Sequence, residues 1–200
     1  VVHVRQHHAM YSRRCGISTC TSNPLLTASS SLVACDEQRA VYIESTNAMD
    51  TLVILDRAKR TRTPLATPFT QFSQLRMAGD ELVCIASSSR TVPAIVAVSL
   101  RNGSTRILQT CGTVNVPPEL ISEPEPLIFP SQCPDGTPAS AHALLYPPRN
   151  PEYKAPHGTL PPCRIIAHSG PTSRVSSTLD LGIQYWTSRG WLGAFANLRS

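Results

Sequence analysis

Short apolar runs recur along this 200-residue chain at a nearly fixed distance. Val41-Tyr42-Ile43 matches Leu82-Val83-Cys84 at an offset of 41, and Leu52-Val53-Ile54 matches Ile95-Val96-Ala97 at an offset of 43. Each run is short, rich in β-branched residues and bounded by turn formers, which reads as strand. The first set is Leu32-Val33-Ala34-Cys35, Ala40 to Glu44 and Leu52 to Asp56. The second is Gln74 to Met77, Leu82 to Ala86, Ala94 to Val98 and Thr105 to Leu108. Asp36-Glu37, Gly79-Asp80 and Asn102-Gly103 supply turns, and Asn-Gly between apolar runs is the strongest short hairpin signal. A period near ~42 residues with about four strands per unit is that of β-propeller blades. Two units do not close a ring, and an open pair leaves strand edges unpaired. A plain antiparallel meander or sandwich is the alternative.

Proline then changes the character of the chain. Of 18 prolines, 14 lie between Pro117 and Pro171. Strands resume between them at Leu127-Ile128-Phe129, Ala141 to Tyr146 and Arg164 to Ala167. The prolines around the last two runs fall outside them, where no ladder N–H is needed. A helix follows. Leu179, Ile183 and Trp186 lie at i, i+4 and i+7, on one helix face. Ser176, Ser177 and Thr178 can cap its start, Asp180 suits its first turn, and Arg189 and Gly190 suit its end. Trp191 to Ala196 then reads as a buried strand. Strand, loop, helix, strand is the opening of a doubly wound α/β sheet.

Composition bounds the function. The chain is 41% hydrophobic and 16% charged, which is too apolar for a disordered chain. No run approaches the roughly 18 apolar residues of a membrane span. Lys and Arg exceed Asp and Glu by 18 to 13, but the arginines are scattered, so no nucleic-acid face stands out. The seven cysteines, Cys15, Cys20, Cys35, Cys84, Cys111, Cys133 and Cys163, are odd in number and irregular in spacing. Reduced thiols and a cytoplasmic location are the expectation. The first 30 residues show no period and are expected to be poorly ordered. No signal-peptide h-region opens the chain.

Five blocks, in order, resemble the prolyl oligopeptidase family of serine peptidases, in its dipeptidyl-peptidase-like and acylaminoacyl-peptidase-like branches. They are Glu123-Pro124-Glu125-Pro126-Leu127-Ile128-Phe129, Ala141-His142-Ala143-Leu144-Leu145-Tyr146-Pro147-Pro148, His168-Ser169-Gly170-Pro171, Gln184-Tyr185-Trp186-Thr187-Ser188-Arg189-Gly190-Trp191 and Asn197-Leu198-Arg199-Ser200. The resemblance spans Ser31 to Ser200 and is densest from Ile121 onward. It implies a mixed fold, with partial β-propeller blades over 31–116. A Pro-rich crossing and the N-terminal beginning of an α/β-hydrolase domain follow over 117–200. The family cuts peptide bonds near peptide N-termini with a serine on a Gly-x-Ser-x-Gly elbow, an Asp and a His. It uses no metal or organic cofactor, and its substrates are peptides. No Gly-x-Ser-x-Gly occurs in these 200 residues. The triad is expected beyond Ser200, and the chain alone is expected to be inactive. A non-catalytic pseudoenzyme or a propeller-type peptide- or protein-binding module is the alternative.

The resemblance also places candidate pocket residues. His168, Ser169, Gly170 and Pro171 correspond to the family's His-Gly-Gly-Pro loop beside the catalytic pocket. Asn197, Leu198 and Arg199 correspond to its Asn-Tyr-Arg, whose Tyr offers a hydroxyl to the oxyanion. Ser169 replaces a glycine, Ser200 replaces another, and Leu198 has no donor. Losing one such donor typically costs about 10²–10³ in kcat. Other constellations read as structural. His3, His7, His8, Cys15 and Cys20 match no zinc spacing. His142 reads as a sheet residue. Arg57, Lys59, Arg60 and Arg62, with Pro64 behind, read as a solvated hairpin loop, with a phosphate contact as the lesser alternative. Ser173 near His168 lacks both an elbow and an Asp partner.

Overall fold

Two successive groups of four strands pair into two separate antiparallel sheets, each with its strands in chain order. A computed structural model describes residues 31–133, 135–167 and 174–197. The expected poorly ordered leader, residues 1–30, lies outside these, with His3, His7, His8, Cys15 and Cys20. The first sheet holds β1 (Leu32–Ala34), β2 (Arg39–Thr46), β3 (Met49–Asp56) and β4 (Thr61–Leu65). The second holds β5 (Gln71–Ala78), β6 (Glu81–Ser87), β7 (Ala94–Ser99) and β8 (Thr105–Thr110). This is the repeat read from the sequence, and the two sheets are partial β-propeller blades.

Alternation sets the register. Ile43 lies opposite Leu52, and Leu52 opposite Leu65, so all three share a face. Leu82 lies opposite Val98 and Cys84 opposite Val96 on the second sheet. These faces build one core with Val41, Phe72 and Leu75. Leu52, Leu75, Leu82, Val96 and Val98 are fully buried in it. Burial pushes the Cys84 thiol up to about 11, so it acts as a small apolar group.

Three turns show how local chemistry yields to packing. The β2–β3 hairpin turns through Asn47 and Ala48, both at positive φ (52° and 61°). Two left-handed residues match the twist of a two-residue hairpin, although Ala gains nothing there itself. The Ala48 carbonyl accepts a hydrogen bond from Gln71 Nε2 at 2.7 Å, tying this tip to the second sheet. Asn102-Gly103 does turn the chain between β7 and β8, but Ser99 and Ser104 close a longer loop around it. A Cβ at position 103 would lie 2.4 Å from the Ala66 carbonyl oxygen, so glycine is required there. The basic stretch differs from expectation. The loop ends at Arg60, and Arg62 and Pro64 belong to β4. Pro64 is tolerated because β4 is an edge strand.

The third sheet is mixed. It holds β9 (Glu125–Gln132), β10 (Pro138–Tyr146), β11 (Cys163–Ala167) and β12 (Leu192–Asn197), in the order β11-β12-β10-β9. β9–β10 and β10–β12 are antiparallel, and β11–β12 are parallel. The helix α1 (Leu181–Thr187) lies between β11 and β12 in sequence, as a parallel pair requires a crossover. Ile183 on α1 packs with Leu144 and Tyr146, forming a second, smaller core.

The helix begins later than its period suggests. Its N-cap is Asp180, whose Oδ1 accepts from the Gly182 and Ile183 amides at 2.7 and 3.2 Å. The expected caps are occupied elsewhere. Ser177 and Thr178 bond side chains of the second-sheet region, and the Leu179 amide donates to the Ser88 carbonyl at 2.8 Å. Gly190 takes the expected left-handed conformation at φ 86° after the helix.

The proline-rich crossing is pinned at one point. Ser122 is fully buried. Its amide donates to Gln184 Oε1 at 2.7 Å, and its carbonyl accepts from Gln184 Nε2 at 3.1 Å. Its hydroxyl donates to the Pro147 carbonyl at 2.6 Å. One helix side chain thus satisfies a chain segment that has no ladder partner. Among the described residues no helix is long and apolar enough to cross a membrane.

Candidate functional site

In open α/β sheets, ligands collect outside the carboxyl ends of parallel strands. The only parallel pair among the described strands is β11–β12, and Ala167 lies opposite Ala196. Both strands therefore end at the same sheet edge. The His168-Ser169-Gly170-Pro171 segment starts directly after β11, and Leu198-Arg199 directly after Asn197 at the end of β12. Among the described residues, Ala167 and Ala196, which precede the two expected pocket segments, lie side by side. His168, Ser169, Gly170, Pro171, Ser173, Leu198 and Arg199 themselves lie outside the described residues.

Asn197 is described, and its side chain points to an anchoring task. Asn197 Oδ1 accepts from the Val175 amide at 2.8 Å. Its Cα partner on β10 is His142, which lies opposite Ile128 on the other side. His142 is thus a sheet residue, as expected. Further back, toward the start of β12, where Tyr146 lies opposite Gly193, the Tyr146 and Phe195 rings meet edge-on at 5.5 Å. The Tyr146 hydroxyl is buried and has no hydrogen-bond partner among the described residues. Burial, with the Asp180 carboxylate nearby, pushes it up to about 12, so it stays protonated.

The residue before Val175 reaches the opposite way. Arg174 Nη2 donates to both Asp50 carboxylate oxygens, at 3.0 and 3.2 Å, and Nη1 donates to Ser45 Oγ at 3.0 Å. Asp50 also accepts from the Ser45 hydroxyl and from the Phe72 amide, the latter at 3.3 Å. Its side chain is only 1% exposed. A buried carboxylate of the first sheet is thus satisfied by three separate segments. The sequence reading missed Asp50 and Arg174. A signal existed: Asp50, Leu52 and Ile54 alternate on one strand, so an acid stands on the inward face.

The basic group is dispersed. Lys59 sits 3.7 Å from Asp56, and its amide donates to Asp56 Oδ1. Arg62 donates to the Tyr42 hydroxyl and to Glu44 Oε1, each at 2.7 Å. These bonds commit Arg62 to its own sheet, which disfavours the phosphate contact. No cluster of three or more metal-ligating side chains occurs among the described residues.

No family model matches the chain, and no curated protein does. Solved structures do. A Mycobacterium tuberculosis puromycin-hydrolyzing peptidase superposes with a TM-score of 0.72 at 28% identity, over 84% of this chain and 25% of that one. A puromycin hydrolase superposes at 0.71 and 32% identity, again over 84% and 25%. The resemblance to the prolyl oligopeptidase family extends to the structure. A prolyl endopeptidase structure shares the fold alone, at 0.60 and 18% identity over 86% of this chain and 25% of its own. The chain spans about a quarter of the length of each of these three proteins.

Proposed function

We propose that the polypeptide bearing these residues is a serine peptidase of the prolyl oligopeptidase type that cleaves near peptide N-termini. The carrying observation is the 32% identity to a puromycin hydrolase sustained over 84% of the chain. Residues 31–116 are less than half of the chain, so that coverage takes in the crossing and the third sheet as well. On this reading the third sheet is the beginning of an α/β-hydrolase domain, in keeping with its parallel β11–α1–β12 unit. The segments after Ala167 and Asn197 then border the pocket, and the first two sheets belong to the propeller that restricts access to it. The serine, Asp and His come from outside these 200 residues, which alone are inactive. Leu198 leaves the oxyanion one donor short relative to the family pattern. No metal or organic cofactor takes part, and the thiol pattern suits the cytoplasm.

The test is the native transcript beyond the codon for Ser200. The expected result is a Gly-x-Ser-x-Gly elbow followed by Asp and His. The encoded polypeptide should release arylamine from aminoacyl-arylamides and be labelled by a fluorophosphonate probe, while the 200 residues alone do neither. Leu198→Tyr in the native polypeptide should raise kcat. A stop codon directly after Ser200 overturns the peptidase reading and leaves a peptide-binding module.

A further inference from the structure

The two hydrophobic cores do not merge. One belongs to the first two sheets, and the other to the third sheet and α1. Between them runs residues 174–180, and its links to the first two sheets are almost all polar. Arg174 bonds Asp50 and Ser45. Ser177 Oγ lies 3.2 Å from both Thr70 Oγ1 and Gln71 Nε2. Thr178 Oγ1 lies 3.2 Å from Ser87 Oγ, and the Leu179 amide donates to Ser88. Across this line Ala48 of the hairpin tip and Val175 pack on the third-sheet core. On its other side the segment is held firmly. Asn197 grips the Val175 amide, and Asp180 caps α1.

Hydrogen bonds between polar groups can be exchanged for bonds to water at small net cost, whereas apolar burial cannot. A segment fastened by polar bonds on one side, and by chain continuity on the other, opens before either core does. We propose that residues 174–180 form a releasable strap that docks the third sheet onto the first two, with the Asp50–Arg174 ion pair as its catch. Release lifts the strap from Thr70, Gln71, Ser87 and Ser88 as a unit and leaves it on the third sheet. The catch is asymmetric. Asp50 is 1% exposed in its side chain and Arg174 is 43% exposed. Removing the arginine strands a buried carboxylate, while neutralising the aspartate frees a guanidinium that already meets water.

Hydrogen–deuterium exchange on the 200-residue protein tests this without reference to any catalytic activity. In the wild type, the amide of Leu179, which donates to Ser88, should exchange well ahead of those of Leu82 and Val96, while that of Val175, held by Asn197, should not follow it. Asp50→Asn should speed exchange of the Leu179 amide about tenfold and leave β6 and β7 unchanged. Arg174→Gln should act more strongly than Asp50→Asn, and the double variant should resemble Asp50→Asn. If Arg174→Gln does not fold, Arg174→Lys, which keeps the charge and loses the fork, should give a smaller but still local acceleration. Equal acceleration in strap and core, no acceleration at all, or an Asp50→Asn effect larger than that of Arg174→Gln overturns the proposal.

Discussion

In the first two sheets the inward residues of the central strands, Val41 and Leu52 on one and Leu82 and Val96 on the other, meet in a shared core. The third sheet has no such partner among the described residues. Its burial is concentrated on β10, at Ala141, Ala143, Leu144 and Tyr146, with one helix side chain, Ile183, above it. Ile165 on β11 is 74% exposed and Ile128 on β9 is 57% exposed. Strands of similar composition therefore do different work. Two facing sheets bury surface in proportion to their area, whereas the single mixed sheet depends on a few side chains and on hydrogen bonds that join it to the proline-rich crossing.

The largest effect should come from the shared core. Leu52→Ala removes a fully buried side chain and should cost about 3 kcal/mol, read as a lower urea midpoint of the sheet circular dichroism signal. A loss below about 1 kcal/mol would show that the two sheets do not unfold as one. Gln184→Leu should come next. It keeps volume but orphans the buried Ser122 amide and carbonyl, at about 1–3 kcal/mol. Exchange protection should fall at Ser122 and in the third sheet before it falls in β6. Equal loss in both regions would erase the contrast.

Tyr146→Phe should act in the opposite direction. The hydroxyl is buried without a partner among the described residues, so its removal should raise the thermal midpoint, by up to about 1 kcal/mol in stability. A lower midpoint would mean the hydroxyl contributes to the third-sheet core. The smallest effect concerns the Arg90–Glu123 pair at 2.5 Å, which links the second sheet to the crossing. The hydrogen bond from Arg90 holds the Glu123 carboxyl below the usual glutamate value. A carboxylate lowered on folding stabilises above its unfolded pKa, and that contribution fades as pH falls through the folded one. Glu123→Gln should therefore lower the melting temperature slightly at about pH 7 and not at about pH 2–3, because an exposed pair contributes little.

Much of the first two sheets was legible because a face buried on one side writes itself as alternation. Val41/Ile43 and Leu82/Cys84 carry the same pattern one repeat apart. β4 was not legible. Arg62 and Pro64 look like a loop in isolation and become strand only because β3 offers an edge to pair with. The helix start was misplaced because Ser177 and Thr178, good caps by type, are held by residues about a hundred positions away. The candidate pocket was read from resemblance alone; of the fold around it, the described strands show that β11 and β12 end side by side just before its residues. Asp50 and Arg174 escaped because neither residue type announces a partner 124 positions distant.

The prolines in the outermost strands bear on how separate molecules meet. Pro64 sits in β4, and Pro126 and Pro130 in β9, each the last strand of its sheet. A ring nitrogen cannot donate, so a strand arriving from another molecule finds gaps in the ladder there. β8 also lies at an edge, carries no proline, and exposes Ile107 and Leu108. At high concentration, intermolecular strand addition should begin at β8, and lysine at position 107 should delay fibril growth more than the same change beside Pro64.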